Sequence, residues 1–143
     1  MKDMANEAGW VEWLGVKYRP VLRTPALSVV DTWSPAGSGP PRHVHDDADE
    51  TFVVLDGRIE VWMEGRTSFL SAGEAATIPR GVEHTFRVTD EGPVRKLVIL
   101  SPGGFEGFFL AMAEGAFRIP EDMGEIGRIA AAHHLRFTGP PLG

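Results

Sequence analysis

Cysteine is absent from the 143 residues. That excludes disulfide staples, thiolate ligation and thiol nucleophiles, and a reducing, cytoplasmic location is the expectation. Tyrosine occurs once, at Tyr18, and the sequence leaves its place relative to the strands open. A formal net charge of −6 with no block of basic residues argues against nucleic acid as a partner. No apolar run approaches the ~20 residues of a membrane-spanning helix, so no membrane partner is expected. Met1–Glu7 lacks the apolar segment of a secretory leader. Internal repeats and low-complexity linkers are missing too. What remains is one domain over 1–143, long enough to bury a core unaided.

Against these absences stand the histidines. His43 and His45 are two apart, so on an extended strand they share a face. Glu50 lies five further on, which would flip the face on an unbroken strand. Asp46-Asp47-Ala48-Asp49 reads as a turn that returns Glu50 toward the histidines; a turn one residue tighter would offer Asp49 instead. Glu50 to Leu55 is a β-rich run closing on Asp56-Gly57, a hairpin signal. On that strand Glu50, Phe52 and Val54 point inward together. Downstream, Leu70 to Pro79 reads as a turn and a short strand. Pro79-Arg80-Gly81 makes a tight bend, and His84 opens the next strand. A lone strand histidine is usually structural, but three of the chain's five histidines here fall at spacings that strands can gather onto one metal ion.

The rest of the chain reads mainly as strands. Glu12 to Leu22 supplies an edge strand limited by Pro20, and Ala26 to Trp33 supplies another before a Pro/Gly loop. Arg58 to Glu64 alternates strictly, with Ile59, Val61 and Met63 on one face. Glu64-Gly65-Arg66 is a turn, and Pro93 to Leu100 is a buried strand. From Phe105 the period becomes helical, placing Phe105, Phe108, Phe109 and Met112 on one face. Pro120 suits the first turn of a last helix over 120–134, with Met123, Ile126 and Ala130 as its apolar stripe. His133 and His134 end that helix as surface residues. The aromatic stripe has two readings: packing outside the strands or against a partner, or lidding a cavity.

Gly37, His43, His45, Glu50 and Gly57 meet every spacing of the first cupin motif. Gly73, Pro79, Gly81 and His84 meet the second, with Val88 where the motif has asparagine. The chain therefore resembles the cupins over 25–101, and its tail from Ser101 resembles small bacterial cupins similar to quercetin dioxygenase. The resemblance implies an all-β fold: a cupin jelly-roll β-barrel, core about 25–101, followed by a C-terminal helical segment over 103–136. It implies His43, His45, Glu50 and His84 as ligands of one divalent transition metal ion, such as iron, manganese, nickel, cobalt or zinc. Phe52, Val54, Met63 and Phe86, with Trp33, are the candidate walls of a small-molecule substrate pocket.

Three functions compete. In the first, a metal-dependent dioxygenase acts on a small aromatic, flavonoid-like or diketone substrate with Glu50 as catalytic base. The second is a non-redox isomerase, cyclase or decarboxylase, and the third a binding module without turnover. No second acid–base set is evident beside the ligands, which favours chemistry carried by the metal. A homodimer is expected by resemblance, through edge-strand pairing or exchange of the N-terminal segment.

Overall fold

A computed structural model of the chain describes residues 9–143; the reading of Met1–Glu7 lies outside the described residues. In chain order the elements are β1 Val11–Trp13, β2 Val16–Arg23, β3 Ser28–Ser34, β4 Arg42–His45, β5 Asp49–Asp56, β6 Arg58–Met63, β7 Arg66–Ser71, β8 Ala75–Ile78, β9 His84–Val88, β10 Val94–Ser101, α1 Glu106–Gly115, α2 Met123–Ala132 and β11 Leu135–Gly139. One antiparallel sheet runs β1-β2-β3-β10-β5-β8 and the other β11-β4-β9-β6-β7. The two face each other as a jelly roll.

Alternation builds the space between them. On β5 the inward residues are Glu50, Phe52 and Val54, all buried; on β10 they are Val94, Lys96, Val98 and Leu100. Phe52, Val54, Ile59, Ile78, Val88 and Leu100 form the heart of the core. Each such side chain contributes roughly 1.5–3 kcal/mol by leaving water. Val88, the departure from the motif, is fully buried opposite Ile59, so it serves packing.

Where turns were read from local sequence, long-range pairing changed several outcomes. Glu64-Gly65 is the expected hairpin turn between β6 and β7, with both residues at positive φ. Asp56-Gly57 is not a hairpin: β5 belongs to the first sheet and β6 to the second, so Gly57 is a corner where the chain changes sheets. A Cβ on Gly57 would lie 2.6 Å from the Pro93 carbonyl oxygen, and its φ of 91° is also one that glycine tolerates best. Likewise 46–48 carries the chain from β4 to the opposite sheet rather than folding it back beside β4.

The N-terminal edge strand is two strands, because Leu14 and Gly15, at positive φ, turn β1 back on β2. β1 covers only Val16–Tyr18 of β2. Pro20 therefore sits where β2 is itself the sheet edge, and a bulge follows it. Pro120 lies in the turn ahead of α2 rather than in its first turn. Leu135 and Arg136, expected as helix, belong to β11, which pairs with β4. His134, at φ 60°, ends the helical path and starts that strand.

Candidate metal centre

β4 delivers His43 and His45 with one residue between them, as strand alternation requires. β9 delivers His84 directly opposite His43 in the ladder. Glu50 arrives from the facing sheet, on β5, paired with Leu100 and Ile78. The four side chains thus span the gap between the two sheets. All four are buried, and their donor atoms lie within 4.8 Å of one another. The backbone holds the cluster from behind, since the Gly81 N–H donates to the His45 carbonyl at 2.8 Å.

The donor chemistry fits a divalent cation. His43 Nδ1–H donates to the Pro41 carbonyl at 2.8 Å, which leaves Nε2 as the lone-pair atom. Burial, reinforced by the neighbouring imidazoles, pulls His43 down to about 3, and burial also lowers His45. Both rings are therefore neutral near pH 7, as ligation needs. His84 Nδ1 meets the Val82 carbonyl at 3.0 Å and its Nε2 meets Glu50 Oε1 at 2.8 Å. Burial works against charge on His84, but the Glu50 carboxylate raises it above the ordinary value. Burial pushes Glu50 up as well, yet the three imidazoles outweigh it and bring the carboxyl to about 2. An ionised carboxylate beside the three imidazoles is thus the donor set that a cation would complete.

A cavity of about 170 Å³ opens beside this cluster and is lined by His43, His45 and Glu50. Phe52 and Phe86 stand on its wall, edge to face at 5.3 Å. Val54 and Met63, also expected there, are not on that wall: Val54 is fully enclosed in the core and Met63 sits opposite His84 in the ladder. Trp33 points away from the cavity, under the Lys17 ammonium. Asp49 also faces outward, accepting hydrogen bonds from the Arg80 backbone and guanidinium, so the carboxylate beside the histidines is that of Glu50.

The aromatic stripe of α1 lies over the cavity. Phe105 meets the His45 ring edge-on at 4.5 Å, and Phe108 and Phe109 line the wall beside it. Phe109 stacks on Tyr18 at 4.5 Å. His133 is half-buried near Phe105 and Phe108 rather than on the surface.

Sequence reasoning missed Lys96. Its side chain is 2 % exposed and lines the cavity, with Nζ 4.0 Å from the Phe86 ring centre and 5.3 Å from that of Phe52. The signal was available: Lys96 holds an inward position between Val94 and Val98 on an alternating strand.

Fold and site together define a jelly-roll protein with a buried three-histidine, one-carboxylate cluster that could hold a metal ion. The family model for the cupin domain matches residues 30–100, about half of the chain. The chain belongs to the cupin family. It is 30% identical over 86 residues to quercetin 2,3-dioxygenase of Bacillus subtilis (strain 168), covering 60% of this chain and 25% of that protein. It is 33% identical over 79 residues to quercetin 2,3-dioxygenase of Aspergillus japonicus, covering 52% and 22%. The chain thus spans a quarter or less of these two curated relatives. The structure of KdgF from Halomonas sp. superposes with a TM-score of 0.66 at 26% identity, covering 73% of this chain and 96% of that one. Among the described residues, no helix is long and apolar enough to cross a membrane.

Proposed function

We propose that the chain is a metal-dependent dioxygenase acting on a small aromatic, flavonoid-like or diketone substrate. The observation that carries this reading is the junction of the buried His43–His45–Glu50–His84 cluster with a cavity walled by phenylalanine rings. Those four residues would hold the ion, which when bound supplies Lewis-acid and, for a redox-active metal, electron-transfer chemistry. Phe52 and Phe86 offer a planar substrate edge and face contacts. Phe105, Phe108 and Phe109 keep water away from the same space. Glu50, in hydrogen-bond contact with His84, would be the group that accepts a proton from a substrate hydroxyl brought to the cluster. Similarity to two quercetin dioxygenases supports the same direction over the matched segment.

Elemental analysis of protein purified without added metal or a nickel column comes first, followed by oxygen uptake with flavonols, catechols and diketones. Substrate-dependent oxygen consumption by protein carrying near-stoichiometric iron, manganese or nickel is the expected result. A full complement of such a metal with no oxygen uptake on any of the three classes would remove the dioxygenase reading. A non-redox isomerase, cyclase or decarboxylase is the second reading, favoured by the buried amine of Lys96 in the cavity wall. It predicts product under strict anaerobiosis, whereas binding without product in either atmosphere defines a binding module. The assembly proposed with either activity is a homodimer.

A further inference from the structure

The inner face of the first sheet carries polar groups that the metal cluster does not use. Tyr18, Thr32 and Lys96 form one cross-strand row, since Tyr18 pairs with Thr32 and Thr32 with Lys96. The Thr32 hydroxyl donates to the Lys96 carbonyl at 2.8 Å and fixes that backbone. The Lys96 ammonium has a different environment. Among the described residues its close contacts are the faces of Phe86 and Phe52 rather than a carboxylate. Enclosing a cation this deeply without a hydrogen-bonded anion is costly. Burial lowers Lys96 to about 8, with the Glu50 charge partly opposing it. One position along the inward face of β3 is Ser34, 1 % exposed, whose Oγ is buried without a hydrogen-bond partner. Ser34 lines the same cavity as Lys96. A buried serine hydroxyl without a partner and a buried ammonium held against two aromatic rings therefore meet one cavity, and such groups call for an occupant.

Their position relative to the cluster gives the occupant a shape. Glu50 pairs with Leu100, while Lys96 pairs with Val54. The two levels are four residues apart along β5, about 13 Å at the usual strand rise. A lysine side chain can shorten that distance by reaching along the cavity.

We infer that Lys96 and Ser34 form an oxyanion-receiving subsite on the β3–β10 wall of the cavity that the metal cluster also lines, so that the ligand is a small organic acid or phenolate. Its anionic group meets the ammonium and the serine hydroxyl, its apolar body lies against Phe52 and Phe86, and its remaining oxygens face the cluster. This rests on the cavity being the substrate site of the proposed metal-dependent activity.

Calorimetric titration with benzoate and with its neutral counterpart benzamide tests it. The titrations use the wild type and Lys96→Met, each stripped of metal and reloaded with zinc. Wild-type protein is expected to bind benzoate about tenfold to hundredfold more tightly than benzamide in both states, the range for a charge-assisted hydrogen bond in a buried site. Lys96→Met should erase that preference, leave benzamide affinity within about threefold and take up zinc normally, whereas Lys96→Arg should keep the preference. Equal wild-type affinities overturn the inference without recourse to any variant, as does a preference that survives Lys96→Met. A preference seen only in the zinc form and indifferent to Lys96→Met places the carboxylate on the ion, overturning the subsite while leaving the metal reading intact. A Lys96-dependent preference in protein that takes up no zinc supports the subsite and removes the metal reading instead.

Discussion

Glu106 provides a quantitative test of how the cavity wall is held. It opens α1 and is almost fully buried, accepting hydrogen bonds from Ser28 Oγ at 2.5 Å, Arg23 Nε at 2.9 Å and the Gly104 N–H at 3.0 Å. This one carboxylate ties the start of α1 to β2 and β3, and the next element of the wall is Phe105, against His45. Its charge also suits the positive end of the helix. Glu106→Ala removes the acceptor but leaves Ser28 bonded to Gly104 at 3.0 Å. The loss is therefore one buried charge-assisted bond plus a half-exposed arginine pair, about 2–4 kcal/mol in all. At a urea slope of about 2 kcal/mol/M this lowers the midpoint by roughly 1–2 M.

The pH dependence has a fixed sign. Burial raises the Glu106 carboxyl, but the hydrogen bonds from Ser28, Arg23 and Gly104 outweigh it and hold it below its ordinary 4.5. A carboxyl depressed on folding stabilises fully above the unfolded value and ceases to do so as pH falls through the folded value. The gap between wild type and Glu106→Ala should thus be full at pH 6–7 and shrink on acidification below about 4.5. Urea titrations at several pH values, with amide exchange on α1, measure both effects. A midpoint within experimental error of the wild type at pH 7, or a gap indifferent to pH, would show that this carboxylate does not hold the wall.

His45→Ala should abolish metal retention, measured by elemental analysis; full occupancy in that variant would refute the ligand set. In the wild type, an ion held at 100 times its dissociation constant adds about 2.7 kcal/mol, a rise of roughly 5–11 °C in melting temperature, and thermal scans of His45→Ala should show no such rise. Glu50→Gln should weaken metal binding less than a histidine-to-alanine change while suppressing turnover, and unchanged turnover would end the role of Glu50 as base. A homodimer should appear in sedimentation at micromolar concentration, against which a monomeric mass would count.

Much of the site was legible because its information is local. The parity of His43 and His45, the glycine and proline punctuation at Gly73, Pro79 and Gly81, and alternation on β5 place side chains without knowledge of which strands pair. The inward set Glu50, Phe52 and Val54 followed from parity alone. Parity does not say how deep a residue lies, which is why Phe52 reached the cavity and Val54 the core. Partner choice was the hidden variable. Asp56-Gly57 carries the chemistry of a hairpin turn, yet β5 finds a better neighbour in β10, and the close approach of Pro93 and Val94 turns Gly57 into a corner. The start of β11, Leu135 and Arg136, was read as helix because alternation over five residues, LRFTG, is too short to stand out beside the helical stripe before it. Its place is set by β4 and by the Arg136 guanidinium, which pairs with Asp46 at 2.8 and 2.9 Å. Lys96 was overlooked for a different reason: a lysine in an apolar strand reads as an interruption until its inward position is taken literally.

The placement of the four candidate ligands couples stability to site chemistry. His43 and His84 face each other at the one registered pair between β4 and β9, the thinnest ladder of the five-stranded sheet. Glu50 stands on the opposite sheet. A cluster at that junction joins β4 to β9 and one sheet to the other, so whatever occupies it acts on the packing of the whole roll. Across the gap His84 and Glu50 share a hydrogen bond at 2.8 Å, with His45 Nε2 3.6 Å from the other carboxylate oxygen. These are polar contacts in a buried setting, where attraction must overcome desolvation before it stabilises anything. An apolar replacement of similar volume could close the same gap with less desolvation cost. Three buried imidazoles and a carboxylate beside an open cavity therefore make better sense as a ligand-holding device than as a device for stability. That cavity is also lined by Lys96, whose ammonium lies against Phe86 and Phe52, so the interior of this small roll combines aromatic surface with polar groups beyond the four candidate ligands.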